Sequence, residues 1–362
     1  MKTKIVLVGG FLGAGKTMLL RAADRKLSEM GKHVGLITND QASELVDTVF
    51  LQRTNTTVSE VSGSCFCCNF PGFIDAIANI RERKDVDAIV AEPVGSCTDL
   101  SATILQPLKD EFAGKLSVAP LSVLVDPERL ANYLDGKSSG LHQSAAYILQ
   151  KQLEEADLIV ISKADLLSPE AVESLKKRAA REWPHATVHA VSAKNGGGLE
   201  DWLKDVLQHS ESGTHLAEVD YDIYAEGEAV LGWLNTSVLL KGKAEDWDAF
   251  AKDLLNSLSR HCEELRAAIG HVKLLIETND DFVIGNITGP QNSLHMSGSA
   301  GKGKDATMTL NARAQIDPDT LKSIVTEAIS KACGINITSD FIAMKCLKPG
   351  RPNPTHRYDH VV

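Results

Sequence analysis

Short apolar runs alternate with amphipathic stretches through the first part of the chain. The apolar runs predict strands at residues 4–8, 33–38, 87–91, 116–126, 157–162 and 186–191. Helical periodicity predicts helices at residues 18–30, 71–83, 127–135, 142–154, 169–182 and 199–208. Strands that are apolar throughout and alternate with helices are typical of a mostly parallel sheet covered on both faces. Residues 1–210 therefore predict an α/β domain.

The pattern changes after residues 211–228, a polar and acidic segment that we interpret as a linker. The next part predicts strands at 229–240, 272–288, 306–316 and 335–347, helices at 247–269 and 319–333, and a flexible hairpin loop at 298–305. This β-α-β-β-α-β order is ferredoxin-like, so residues 229–347 predict a smaller α+β domain. We expect residues 41–62 to be a mobile connection, and we expect the tail at 348–362, rich in Pro and basic groups, to lie on the surface.

Composition narrows the classes of function. The chain has 362 residues, a formal net charge of −10 and no block of basic residues, so a general nucleic-acid role is not favoured. Its longest apolar runs have the length of strands, which argues against a membrane partner. The chain begins directly with a strand, so we expect no signal peptide and a cytoplasmic location. In that compartment the seven cysteines are thiols or metal ligands rather than a disulfide framework.

The segment GFLGAGKT, from Gly10 to Thr17, fits the phosphate-loop pattern G-x-x-x-x-G-K-[ST]. It lies between a predicted strand and a predicted helix, as a phosphate site requires. Its glycines let backbone N–H groups turn inward, and the helix N-terminus adds further free N–H groups and a positive dipole end. Lys16 is predicted to reach the terminal phosphates and Thr17 to bind Mg²⁺. The loop residues expected to hold the nucleotide are Gly10, Gly13, Ala14, Gly15, Lys16 and Thr17.

Two later segments favour guanine over adenine, although ATP remains an alternative. Lys163 and Asp165 follow a predicted strand, and Ser192 and Ala193 follow the next one. An aspartate accepts hydrogen bonds from guanine N1 and N2, which adenine does not offer, and lysine methylenes can lie over the purine. A backbone N–H at 192–193 would meet guanine O6. Their order and their positions at strand ends match a GTPase.

Acidic residues at two strand ends are candidates for Mg²⁺ and for catalysis. Glu92 ends a buried strand beside the expected phosphate site, where a carboxylate can hold Mg²⁺ or its water. Gly95 would let the chain approach the terminal phosphate closely. Asp40 ends the second strand and is a candidate for the Mg²⁺ shell or for orienting the attacking water, or else a turn residue. The candidate catalytic residues are therefore Lys16, Asp40 and Glu92.

Three thiols occur within four residues, at Cys65, Cys67 and Cys68. Thiolates bind Zn²⁺ and similar soft ions, and binding depends on pH because the ligands must lose protons. Cys97 is a candidate for a further ligand, and so are the acids Asp40 and Glu44. The alternative interpretation is a redox-sensitive or merely buried group of cysteines.

Together these residues resemble the CobW-like GTPases, which are relatives of the urease and hydrogenase nickel-insertion GTPases. The resemblance rests on the phosphate loop, Cys65-x-Cys67-Cys68, Glu92-x-x-Gly95 and the Lys163/Asp165 pair in that order, within about residues 1–210. Ser162 stands where the family's base-reading motif has Asn. The resemblance implies slow GTP hydrolysis coupled to delivery of a metal or a cobalamin-related cofactor. It also implies Zn²⁺, Co²⁺ or Ni²⁺ at the cysteines and frequent homodimers.

Three hypotheses follow from these observations. The first is a GTP-driven metallochaperone or activator that serves a client metalloprotein or cofactor-dependent enzyme. The second is a GTP- and metal-responsive sensor that retains its ion. The third is a P-loop small-molecule kinase, which the phosphate loop permits but the base-reading residues and the cysteine cluster disfavour.

Overall fold

The computed structural model describes residues 2–43, 45–53, 56–83, 85–137, 142–209, 211–279, 281–288 and 293–362. Within them, two sheets form two layered units. The first contains parallel strands, and the second is entirely antiparallel. None of the described helices has both the length and the apolar character needed to span a membrane. The predicted fold class, an α/β domain followed by an α+β domain, is confirmed.

The first unit alternates strands and helices as its sequence predicts. Its strands are β1 (Thr3–Gly10), β2 (Val34–Asp40), β3 (Thr57–Ser62), β4 (Ala88–Glu92), β5 (Leu116–Val118), β6 (Ser122–Val125), β7 (Leu158–Ile161) and β8 (Thr187–Ala190). Its helices are α1 (Lys16–Glu29), α2 (Val46–Gln52), α3 (Phe70–Arg83), α4 (Gln106–Phe112), α5 (Pro127–Leu134), α6 (Gln143–Glu154), α7 (Pro169–Glu182) and α8 (Leu199–Gln208). One turn of π-helix at Ser101–Leu105 leads into α4.

The parallel sheet has the order β3-β2-β4-β1-β6-β7-β8, and β5 pairs with the start of β1. Side chains of β1 alternate between its two faces. Ile5 and Leu7 pack into one hydrophobic layer, while Val6 and Val8 pack into the other. This double burial explains why the strands are apolar throughout. It also places the carboxyl ends of β1, β2, β4 and β7 at one edge of the sheet, where ligands bind in folds of this type.

The second unit contains β9 (Gly232–Asp246), β10 (Ile269–Glu277), β11 (Phe282–Thr288), β12 (Ser293–Ser299), β13 (Lys302–Ala314) and β14 (Thr338–Leu347), with helices α10 (Trp247–Glu264) and α11 (Pro318–Cys333). The strand order is β12-β11-β10-β13-β9-β14. Its β14-β9-β13-β10 part has the ferredoxin-like arrangement, and the β11–β12 hairpin extends one edge. Along β10, Val272 and Leu274 face the helices, whereas Leu275 packs toward the first unit.

Two expectations about loops were wrong. Residues 41–62, expected to be a mobile connection, contain α2 and β3. Val46 and Phe50 of α2 pack on Leu275 and Ile284 of the second sheet, so this helix is stabilised by contacts distant in sequence. Residues 298–305, expected to be a flexible loop, belong mostly to β12 and β13, because the long strand β9 continues far enough to pair with the start of β13.

The predicted linker at 211–228 contains most of a further helix, α9 (Tyr221–Ala229). Its composition is polar, but Tyr224 is buried in the first core. At Gly227 the helix meets α6 so closely that a Cβ there would lie 2.3 Å from the Ser144 carbonyl oxygen. The polar and acidic composition therefore concealed a helix that packs on α6. The domain boundaries themselves stay predictions.

Candidate nucleotide and metal site

The phosphate loop joins β1 to α1 in a conformation that depends on glycine. Gly15 caps α1 with a φ of 94°, in the left-handed region. A Cβ on Gly10, whose φ is 128°, would lie 2.2 Å from the Leu124 carbonyl oxygen. Lys16 folds back over the loop, and its Nζ donates to the Gly10 carbonyl oxygen at 2.9 Å. The loop thus forms an anion cradle with the lysine already inside it.

Thr17 lies beside two carboxylates, as an Mg²⁺ site requires. Its Oγ1 donates to Asp47 Oδ1 and lies 3.4 Å from Glu92 Oε1. Burial raises the pKa of the Glu92 carboxyl to about 7, and the negative charge of Asp47 adds to that shift. Among the described residues, Glu92 Oε2 is buried without a hydrogen-bond partner. A buried acceptor with no donor is what a magnesium ion or its water would satisfy, so these residues fit the metal.

Asp47 was not predicted from the sequence. It lies in the first turn of α2, seven residues after Asp40, in a segment whose helix packs on the second sheet. The signal that would have found it is an acid in the first turn of a helix facing the phosphate loop. That signal was hidden once 41–62 had been interpreted as a mobile connection.

Asp40 is held by the second domain. Its Oδ2 accepts from Arg313 Nη2 at 2.8 Å and from Asn235 Nδ2 at 2.7 Å. Both side chains of the Asp40–Arg313 pair are almost fully buried. Asp40 lines the same cleft as Thr17, but its described bonds tie β2 to β9 and β13. Its role in the Mg²⁺ shell or in orienting water stays a prediction.

Gly95 lies directly against the phosphate loop. A Cβ at this position would come within 2.8 Å of Leu12 Cδ2 and 3.1 Å of Lys16 Nζ. Lys16 Nζ is also 3.7 Å from Glu92 Oε1. A side chain at residue 95 would therefore displace the lysine that is predicted to meet the terminal phosphates.

The candidate base-reading residues lie at the ends of β7 and β8. Lys163 has a φ of 52°, and its Nζ pairs with Asp126 Oδ2 at 2.8 Å. Asp165 Oδ1 accepts from Ser192 Oγ at 2.6 Å, which fixes the direction of the carboxylate. Ser162, which replaces the family's Asn, donates to the Val125 carbonyl oxygen at 3.2 Å. Ser192 therefore orients the Asp165 carboxylate, Ala193 lines the cleft, and their roles in binding a base stay predictions.

These residues surround a cavity of about 370 Å³, a size typical of small-molecule sites. Most of the predicted nucleotide residues line it, namely Gly13, Gly15, Lys16, Thr17, Asp40, Glu92, Gly95, Lys163, Asp165 and Ala193. Gly10, Ala14 and Ser192 do not line it. The opposite wall comes from the second domain and includes His271, Lys273, Thr288 and Arg313. Nothing in the sequence pattern indicated that the second domain would complete the cleft.

The thiol cluster lies in the loop between β3 and α3. The sulfur atoms of Cys65, Cys67 and Cys68 all lie within 4.8 Å of one another. Cys67 Sγ is 3.0 Å from Cys65 Sγ and 3.8 Å from Cys68 Sγ. In a tetrahedral zinc thiolate site with Zn–S of about 2.3 Å, neighbouring sulfurs stand roughly 3.8 Å apart. The donor set therefore fits a thiophilic ion after small side-chain adjustments.

Cys65 and Cys67 are buried, whereas Cys68 is partly exposed. The neighbouring S–H groups, first that of Cys67, hold the pKa of Cys65 well below its usual value. The hydrogen bond between the Cys65 and Cys68 thiols raises the pKa of Cys68 to about 11, and burial adds to that shift. One thiolate therefore forms readily, and binding of a cation would be needed to release the remaining protons.

Cys97 is buried against the same group and also lies near the phosphate loop. Cys65 and Cys67 share its hydrophobic core, and burial raises its pKa well above the usual value. Burial lowers the pKa of Lys16, and the negative charges of Glu92, Asp47 and Cys97 oppose that shift. Cys97 therefore lies close enough to both the thiols and Lys16 to interact electrostatically with them. Glu44, which the sequence also suggested as a ligand, lies outside the described residues.

Asn39 physically connects the cleft to the thiol loop. It lines the nucleotide cavity, and its Oδ1 accepts from the Phe66 backbone N–H at 2.9 Å. Its Nδ2 donates to the carbonyl oxygens of Val61 and Ser64, both at 2.8 Å. The amide thus clamps the chain on both sides of Cys65 to the end of β2.

The Pro-rich tail packs across the thiol loop. The Asn353 backbone N–H donates to Cys68 Sγ at 3.2 Å, and the Thr355 N–H donates to the Cys67 carbonyl oxygen at 2.8 Å. Arg357 pairs with Asp99 at 2.7 Å. The tail does lie on the surface, as expected, but it is anchored there and covers the partly exposed thiol.

The sequence model of the CobW/HypB/UreG nucleotide-binding domain matches residues 4–190 of this chain, which is just over half of it. The chain belongs to this family. The matched region contains the phosphate loop, the thiol cluster and the base-reading segment at 163–165. The resemblance inferred from those motifs is therefore confirmed.

Curated relatives are similar at low identity. The zinc chaperone CobW of Pseudomonas aeruginosa is 27% identical over 223 residues, covering 54% of this chain and 57% of the relative. The zinc chaperone YeiR of Escherichia coli is 27% identical over 254 residues, covering 67% and 66%. The chain thus spans less than two thirds of these relatives. Among solved structures, the Zn(II)-bound YjiA GTPase of E. coli shares 15% identity over 91% of this chain and 99% of its own, with a TM-score of 0.37.

Proposed function

We propose that this protein is a GTP-hydrolysing metallochaperone that couples slow hydrolysis to delivery of Zn²⁺, or of Co²⁺ or Ni²⁺, to a client metalloprotein or cofactor-dependent enzyme in the cytoplasm. The family membership, the phosphate loop and the thiol cluster support this proposal. Two of the curated relatives are named zinc chaperones. A homodimer is part of the proposal, and sedimentation equilibrium with and without nucleotide tests it.

The cleft residues have complementary roles in this reaction. Gly13, Gly15 and Lys16 would hold the phosphates, and Thr17 with Asp47 and Glu92 would hold Mg²⁺, which supplies positive charge to the transferring phosphoryl group. Asp165, fixed by Ser192, would accept the guanine N–H groups. Binding of GTP and ATP analogues, measured in competition, tests the base, and free phosphate as product distinguishes a GTPase from a kinase.

The position of Asn39 carries the proposed coupling. The Asn39 amide forms two hydrogen bonds with the thiol loop and one with the end of β3, and Asn39 also lines the nucleotide cleft. Any nucleotide-dependent shift at the end of β2 must therefore move the backbone on both sides of Cys65. In many nucleotide-binding proteins, segments near the nucleotide become ordered or move when the nucleotide changes, and this alters binding at a second site.

Competitive Zn²⁺ titration against a chromophoric chelator tests the coupling in the apo, GDP-bound and GTP-analogue-bound states. We expect the Zn²⁺ affinity of the GTP-analogue-bound protein to differ at least about fivefold from that of the GDP-bound protein. By reciprocity, Zn²⁺ should change the ratio of GTP-analogue affinity to GDP affinity by the same factor. Asn39→Ala should reduce that factor, whereas Asn79→Ala, an exposed asparagine on α3, should not. Equal Zn²⁺ affinities in all three states would refute the coupling.

A sensor that keeps its ion is favoured by one observation. Cys65, Cys67 and Cys97 are almost fully buried, and the tail covers Cys68, so the ion would leave slowly. Stopped-flow transfer of Zn²⁺ to a chelator during GTP turnover distinguishes the two functions. Faster transfer with turnover supports delivery, and an unchanged rate supports the sensor.

A further inference from the structure

A lysine of the second domain reaches the phosphate loop of the first. Lys273 lies on β10, and its side chain is only 15% exposed. Its Nζ donates to Thr17 Oγ1 at 3.0 Å and forms an ion pair with Asp47 Oδ1. These are two of the groups to which the proposed function assigns Mg²⁺. The Lys273 ammonium group therefore contacts the same oxygen atoms that would hold the magnesium ion in the proposed function.

The second sheet holds this contact in place from two adjacent strands. Asn311 stands opposite Lys273 on β13, and its Oδ1 accepts from the Val46 backbone N–H at 2.8 Å. Val46 directly precedes Asp47 at the start of α2. The sheet therefore fixes both the lysine and the backbone of the carboxylate that the lysine contacts, so the ion pair is part of a built interface.

Mg²⁺ and Lys273 cannot share their present partners. Mg²⁺ takes oxygen ligands at about 2.1 Å, so an ion held by Thr17 and Asp47 would use the oxygen atoms that this ammonium contacts, and the two positive charges would repel each other. The side chain has four methylenes and can swing while its strand stays fixed. The nearest strong anion would then be the terminal phosphate, which adjoins the metal and Lys16.

We propose that Lys273 is a phosphate-binding residue which the second domain supplies, and that it exchanges Thr17 and Asp47 for the terminal phosphate when Mg²⁺ and GTP bind. This inference rests on the proposed function. The triphosphate would thereby be bonded to both domains, while the diphosphate would lack that bond. Removal of the terminal phosphate would weaken the contact between the cleft and the second sheet.

Equilibrium binding of fluorescent GDP and of a fluorescent non-hydrolysable GTP analogue, both with Mg²⁺, tests this proposal without any measurement of activity. Lys273→Met should lower the affinity for the GTP analogue by about tenfold or more, because one charge-assisted hydrogen bond to the terminal phosphate is lost. The affinity for GDP should fall by less than about threefold, because GDP lacks that phosphate. Lys273→Arg should restore part of the difference. Lys252→Met, an exposed lysine on α10, is the matched control and should change neither affinity.

Two outcomes overturn the proposal. Equal changes for both nucleotides would mean that Lys273 does not meet the terminal phosphate, and tighter binding of both would mean that it only obstructs the metal site. Lys273→Gln, which keeps a polar group, replaces the Met variant if circular dichroism shows that the latter is unfolded. If the wild-type protein binds neither nucleotide, the proposed function is refuted. If the wild-type protein binds both nucleotides but the Lys273 variants do not lose affinity selectively for the GTP analogue, only the role of Lys273 is refuted.

Discussion

The buried pair of Asp40 and Arg313 predicts a large and asymmetric response to substitution. Arg313 Nη1 donates to the Leu234 and Ala312 carbonyl oxygens, both at 3.0 Å, and the guanidinium lies 4.2 Å from the Trp233 ring centroid. Nη2 alone reaches Asp40. The arginine therefore has other partners, whereas Asp40 depends on Arg313 for its countercharge.

Arg313→Met should destabilise the protein by about 3 kcal/mol. Removing one partner of a buried ion pair costs roughly 3–5 kcal/mol, because the charge of the other partner, here Asp40, stays buried without a countercharge. Asp40 keeps its hydrogen bond from Asn235, so we expect a cost at the lower end of this range. Asp40→Asn should cost only about 1–2 kcal/mol, since the guanidinium keeps its carbonyl bonds and its contact with Trp233. For domains of this size, 3 kcal/mol corresponds to a fall in Tm of roughly 6–12 °C.

Thermal and urea unfolding followed by tryptophan fluorescence measure these differences. The double variant should be more stable than the sum of the single effects predicts, by at least about 1 kcal/mol, because it leaves no unpaired charge. Arg260→Met, at an exposed position of α10, serves as the control. Equal losses in the two single variants, or strict additivity in the double variant, would refute the reasoning.

Three further predictions concern the cleft and the thiols. Gly95→Ala should weaken GTP-analogue binding about tenfold or more, because its Cβ would press on the Lys16 ammonium, and Gly114→Ala, with no atom near its Cβ, should not. The pKa of Glu92 is raised to about 7, so the nucleotide-free folded state binds that proton more tightly than the unfolded state. The free energy of unfolding should then fall by roughly 3 kcal/mol between pH 4.5 and pH 7, and Glu92→Gln should flatten this part of the urea-derived profile. Removal of residues 348–362 should speed modification of Cys68 by a thiol reagent several-fold, and an unchanged rate would show that the tail does not shield it.

The parts of the site that the sequence predicted are those whose geometry is local. The phosphate loop needs only a strand, a helix and its own glycines, so Lys16 and Thr17 lie where the motif places them. Asp165 and Ser192 follow consecutive strands of one sheet, and the alternation of apolar strands with helices was enough to bring them together.

The parts that were missed depend on contacts between residues distant in sequence. Helix α2 has a short apolar face, and its partners Leu275 and Ile284 come more than two hundred residues later. Asp47 was missed together with the helix that carries it. The pattern along β10 shows alternation, but nothing in it indicates that Lys273 points at another domain.

The contact between α2 and the second sheet has a consequence for how the two units can be exchanged between related proteins. Val46 and Phe50 pack on Leu275 and Ile284 of the second sheet. A gene fusion that exchanged only one of the two units would therefore leave this apolar face of α2 exposed beside the cleft. Recombination should therefore conserve the two units as a matched set, and chimaeras between relatives should function only when this helix travels with its own sheet.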